Sequence, residues 1–69
     1  MSESKERMLA LKALEMTNGR TEEIERCCWM VVHESKHNTL PVEYDIRDID
    51  EGLYLKVLSI AKSIEFTND

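Results

Sequence analysis

The chain has 69 residues, 42% of them hydrophobic and 33% charged, with 9 basic and 14 acidic side chains giving a net charge of −5. That composition is globular rather than disordered, but the length permits only one small domain, the whole of 1–69, and a small core. The negative charge argues against sequence-independent nucleic-acid binding. No apolar run approaches the roughly 18 residues needed to span a membrane.

With two Gly and one Pro there are few hairpin turns to be had, so an all-α fold is expected. The first helix is predicted over about residues 3–17, capped by Ser2 or Ser4 and closed by Asn18-Gly19. Met8, Leu11 and Leu14 share one broad face of it, and Leu9 and Met16 fall on another. Residues 1–16 lack the unbroken apolar core of a signal peptide, which points to a cytoplasmic protein.

The second helix is predicted over 21–37, with Thr21 as its cap and Glu22, Glu23 and Glu25 at the positive end of its dipole. A short turn between the first two helices implies an antiparallel hairpin. Ile24, Cys27, Cys28 and Val31 keep the spacing of a core face. Trp29, Met30 and Val32 then cover much of the remaining circumference. Adjacent cysteines on a helix point about 100° apart, so Cys27 and Cys28 read as buried thiols rather than a disulfide.

Residues 38–47 form a connection in which Leu40, Val42, Tyr44 and Ile46 alternate with polar or turn residues. Pro41 and the absence of a second alternating segment favour an extended link packed on the hairpin over a strand. The third helix is predicted over 48–66, with Asp48 and Glu51 spaced as a capping box. Ile49, Leu53, Val57, Ile60 and Ile64 form its apolar stripe.

His33-Glu34-Ser35-Lys36-His37 spells the His-Glu-x-x-His spacing of zinc peptidases, in which two His on one helix face ligate the metal. Here Ser35 and Lys36 occupy positions that are mostly apolar in such enzymes. The third ligand has no diagnostic position, and the chain is short for a substrate cleft. A solvated helix end carrying cations suited to the dipole accounts for the segment, so no catalytic residue and no cofactor are expected.

The apolar surface of the second helix exceeds what three short helices can enclose in a monomer, which predicts a homodimer sharing a core through the second or the third helix. Ile24, Cys28, Val31, Val32, Leu53, Val57, Ile60 and Ile64 would build that core or the dimer contact. Five carboxylates, Glu43, Asp45, Asp48, Asp50 and Glu51, crowd into nine residues. The function these features suggest is that of a small acidic regulator, inhibitor or adaptor that binds a larger protein with a basic surface. Size and composition match the small proteins with which phages and other mobile elements neutralise host machinery. Trp29, Met30 and Tyr54 are the expected apolar anchors, and Asp45, Asp48 and Asp50 the charge contacts. One alternative is a helical DNA-binding regulator using Lys5, Arg7, Lys12 and Arg20. A second is a zinc-binding protein using His33 and His37.

Overall fold

A computed structural model describes residues 4–44 and 49–67. All regular structure among them is helical: α1 is Lys5–Thr17, α2 is Ile24–His37 and α3 is Glu51–Thr67, with a 3-10 turn, Thr21–Glu23, leading into α2. Residues 40–44 form no strand. Each helix touches the other two, making a compact bundle.

Local chemistry explains where the helices start and stop. The Ser4 hydroxyl accepts a hydrogen bond from the Arg7 amide at 3.2 Å and so satisfies one of the free donors at the start of α1. Asn18 (φ 54°) and Gly19 (φ 86°) both take left-handed backbone conformations. The Asn18 amide closes the last turn onto the Glu15 carbonyl at 3.3 Å. Thr17 secures the corner: its hydroxyl donates to the Leu14 carbonyl at 2.6 Å and accepts from the Gly19 amide at 3.3 Å.

Two expected caps differ from those found. Thr21 begins the 3-10 turn, and α2 is entered through that turn with no side-chain cap. At the third helix, Asp48 and the expected start at 48 lie outside the described residues, and the helix begins at Glu51. Its cap is Asp50, whose Oδ1 accepts the Leu53 amide at 3.1 Å. Ile49 and Tyr54, at the staple positions either side of that cap, are both buried.

Lys5 of α1, Ser35 and Lys36 of α2, and Asp50 and Leu53 of α3 line one shallow cavity. Toward the other end, Lys62 of α3 lies 3.8 Å from Glu25 in the first turn of α2. Helix α2 therefore runs antiparallel to both of its neighbours.

The core centres on α2, where Ile24, Cys27, Cys28, Trp29, Val31 and Val32 are all buried. Within a single copy of the chain every residue of the apolar run is buried except Met30, which is half-buried. The reason is the face that α1 presents. Its buried row is Ala10, Ala13 and Thr17, with Leu9, Leu14 and Met16 flanking the core, while Met8 and Leu11 stand exposed. Small side chains let the helix axes come close, so large residues on α2 find cover from short neighbours. On α3 the buried row is Tyr54, Val57 and Ala61, rotated from the expected stripe. Leu53, Ile60 and Ile64 are only half-buried.

The tight approach at Ala13 and Ala61 is testable. Ala13→Leu or Ala61→Leu should lower the unfolding free energy by about 1–3 kcal/mol through overpacking. Met8→Ala, on the exposed side of α1, should stay within about 0.5 kcal/mol. Urea midpoints of the three variants would decide it.

Candidate interaction surface

Trp29, His33 and His37 recur every four residues, so the helix places them in one row along α2. Their rings follow one another: Trp29 and His33 have centroids 5.2 Å apart, and His33 and His37 are 4.4 Å apart. Asn38 (φ 61°) ends the helix in a left-handed conformation and turns the chain back along this row. The Thr39 carbonyl then lies 3.2 Å from His33 Nδ1. A carbonyl oxygen only accepts, so this bond places a proton on Nδ1.

Further along the connection, Tyr44 lays its ring against Trp29, with centroids 4.7 Å apart and planes tilted by 38°. Its side chain also hydrogen-bonds Tyr54 of α3. The Tyr54 hydroxyl is pushed above its ordinary pKa, first by burial and then by that hydrogen bond. Tyr44 therefore links α2 to α3 and covers one side of Trp29.

Trp29 is 1% exposed, and its indole N–H has no hydrogen-bond partner among the described residues. An orphaned buried donor costs about 1–3 kcal/mol, which the burial of so large a ring offsets. Beside it lies an open cavity of about 70 Å³ lined by Arg26, Trp29 and Met30 of α2 and by Pro41, Val42 and Tyr44 of the connection.

The expected anchors are therefore redistributed. Trp29 and Tyr54 are core residues and offer no surface, and Met30 is half-buried against the core. Asp45 and Asp48 lie outside the described residues. Asp50 is exposed, with one carboxylate oxygen engaged in capping α3. What does stand out is the connection: Leu40 is 47% exposed, Tyr44 55% and Val42 100%. The alternation of Leu40, Val42 and Tyr44 was visible in the sequence, but it was read as a segment laid inward. Pro41 and the ring of Tyr44 face the hairpin, and Leu40 and Val42 are left outside.

The remaining candidate chemistry is dispersed. Glu34 of the His-Glu-x-x-His segment forms an ion pair with Lys12, Nζ to Oε1 at 2.6 Å. Among the described residues no three His, Cys, Asp or Glu side chains converge as a metal cluster. The basic residues named for nucleic acid do not gather on one face. Lys5 and Lys12 lie on the same side of α1, where Lys12 is paired with Glu34, while Arg7 lies across the helix from them and Arg20 sits in the turn with its Nε 3.4 Å from the Thr17 carbonyl. No helix among the described residues is long and apolar enough to cross a membrane.

Both thiols are buried and free. Burial, reinforced by the neighbouring Cys27, pushes the Cys28 thiol up from 9.0 to about 12. Burial followed by Glu23 raises Cys27. The thiolate is the reactive species, so at neutral pH these groups behave as small hydrophobes.

These shifts predict an alkaline weakness. Cys27, Cys28 and Tyr54 all hold their protons more tightly in the fold than in the unfolded chain. Their contribution to stability is complete below the unfolded thiol value near 9.0 and is lost as pH rises from there toward about 12. Urea midpoints should fall between pH 9 and 11, and Cys28→Ala should flatten the fall. A midpoint that rose or held over that interval would contradict the assignment.

Residues 6–65 match the model of a family described as a domain of unknown function, DUF8662. No curated protein and no solved structure matches the chain. The matched span takes in α2, the connection over Trp29, and nearly all of α1 and α3. The chain belongs to the DUF8662 family.

Proposed function

We propose that this chain is a small non-catalytic binding module that docks on a larger protein with a basic surface and modulates or inhibits its activity. The observation that supports this reading is the connection between α2 and α3. Leu40, Val42 and Tyr44 are exposed within five residues, with Glu43 among them and Asp50 exposed beyond. Leaving Val42 wholly in water forgoes about 1.5–3 kcal/mol of burial, a cost that a partner would recover. In sequence, Asp45 and Asp48 continue the same segment. Residues 41–69 carry three basic side chains against seven acidic ones.

An apolar centre flanked by carboxylates complements an apolar groove rimmed by Lys and Arg. In such a contact the apolar residues hold the complex together and the charges steer it. The mechanism is occlusion: the docked bundle covers a functional surface of its partner. The charge contribution makes association weaken as ionic strength rises.

The sequence suggested a homodimer through the second or the third helix, and in this reading the second is the less available of the two. Because α2 is buried apart from half-exposed Met30, a second copy would meet the exposed Met8 and Leu11 of α1 or Leu55 of α3. Residues such as Ile24, Cys28, Val31, Val32 and Val57 then belong to the monomer's core.

Two measurements test these statements. Immobilised chain exposed to an extract of its source should retain one protein in stoichiometric amount. Capture should fall at least about tenfold with Leu40→Ser/Val42→Asp and persist with Met8→Ser, since a buried apolar anchor is worth 1.4 kcal/mol or more. Equal capture by the doubly substituted chain would sink the docking surface. In light scattering at micromolar concentration, self-association should give a particle of twice 8.1 kDa, and either Met8→Ser/Leu11→Ser or Leu55→Ser should return it to 8.1 kDa.

A further inference from the structure

We propose that His33 and His37 form a two-histidine site for a divalent first-row transition-metal ion, Cu²⁺, Ni²⁺ or Zn²⁺, on the outer face of the last two turns of α2. The inference is independent of the docking surface described above, because it rests on different residues.

Three observations carry it. The first is separation. The ring centroids are 4.4 Å apart, and the planes are tilted by 39° rather than stacked flat. A metal about 2.0–2.1 Å from one nitrogen of each ring sets the ring centres roughly 4.5–5 Å apart. The helix thus already sets the two ring centres near that spacing, so binding has to turn the rings toward the ion but not to bring them together.

The second is tautomer. The Thr39 carbonyl, 3.2 Å from His33 Nδ1, keeps the proton on that nitrogen. The lone pair is then on Nε2, where a metal can take it. A backbone carbonyl behind a ligating imidazole is the usual outer partner of such a ligand. It fixes the ring's tautomer and orientation. Trp29 lies on the other side of the same ring, with centroids 5.2 Å apart, and further limits its movement.

The third is access. His33 is half-buried and His37 is exposed, so an ion reaches the pair from solvent. No third convergent ligand is present among the described residues, and water fills the remaining positions. The chain's net charge of −5 favours cations in general, while the nitrogen donors select among them. Imidazole suits copper, nickel and zinc rather than magnesium or calcium, and Cu²⁺ should bind most tightly of the series.

The arrangement also differs from a peptidase centre. Glu34, which in that chemistry would face a metal-bound water, is turned to Lys12 at 2.6 Å. The site therefore binds a metal without the base that hydrolysis requires. Because His33 also holds Thr39, an ion on this pair would stiffen the root of the connection that carries Leu40 and Val42.

Titration calorimetry of the full chain with CuCl₂, NiCl₂ and ZnCl₂ in a non-coordinating buffer tests the proposal. The expected result is one ion per chain, with a dissociation constant on the order of 10 μM for Cu²⁺ and weaker values for Zn²⁺. In NMR spectra, Zn²⁺ should shift the ring protons of both histidines. His33→Gln and His37→Gln should each weaken binding at least about tenfold, and Glu34→Gln should leave it unchanged. His37 is exposed, so its variant keeps the test valid if His33→Gln disturbs the fold. The proposal is overturned by absence of binding below about 1 mM. It is equally overturned by unchanged affinity in both histidine variants, or by a loss in Glu34→Gln as large as theirs.

Discussion

Six consecutive apolar residues on one helix can be buried only if neighbours reach that helix from nearly every side. The run Cys27–Val32 imposes this on the whole chain, and the rest of the bundle is arranged to meet it. Helix α1 offers Ala10, Ala13 and Thr17, whose short side chains allow close approach. Helix α3 offers Val57 and Ala61, which do the same from the other flank. Trp29 remains, and it is covered by Tyr44, returning along the connection and fastened to Tyr54. Lose any one of these covers and part of the run faces water. At about 25 cal/mol per Å² of apolar area, such exposure is a large share of a small domain's margin.

Spending so much apolar surface on α2 leaves little elsewhere, and that decides which groups are on offer. Ion pairs on the surface, such as Lys12–Glu34 and Lys62–Glu25, join the helices but lie in solvent and contribute at most about 1 kcal/mol each. Both cysteines are used as packing atoms and stay protonated at neutral pH. Among the described residues, the large apolar side chains left exposed are Met8 and Leu11 on α1, Leu55 on α3, and the group Leu40, Val42 and Tyr44 on the connection. The last group combines apolar exposure with neighbouring carboxylates, and for that reason it is the surface proposed for docking.

The row Trp29, His33, His37 links the core to that surface. Its first member is buried, its second half-buried and its third exposed, so one helical row runs from the interior to solvent. His33 sits at the junction, between the Trp29 ring and the Thr39 carbonyl. Whatever binds at the outer end of the row is two side chains away from the packing that holds the connection in place.

Much of this fold was legible in the sequence. Helix formers, the scarcity of Gly and Pro, and the 3.6-residue periodicity determine three helices. Ser4 and the Asn18-Gly19 pair mark the ends of α1 because capping is a local matter of one side chain and one backbone conformation. The cores of α2 and α3 were partly legible too, since Ile24, Cys28, Val31, Val32 and Val57 follow the apolar stripe. Only the tertiary structure decided which face of α1 turns inward. Its large apolar residues fall on two faces and choose neither, but close approach selects small residues, and no single helix reveals how near its neighbour will come. The same applies to Ala61, and to Trp29 and Tyr54, which looked like surface anchors until Tyr44 covered them. Periodicity along the chain determines what each helix can bury; the distance between helices, a property of no one segment, determined what each of them does bury.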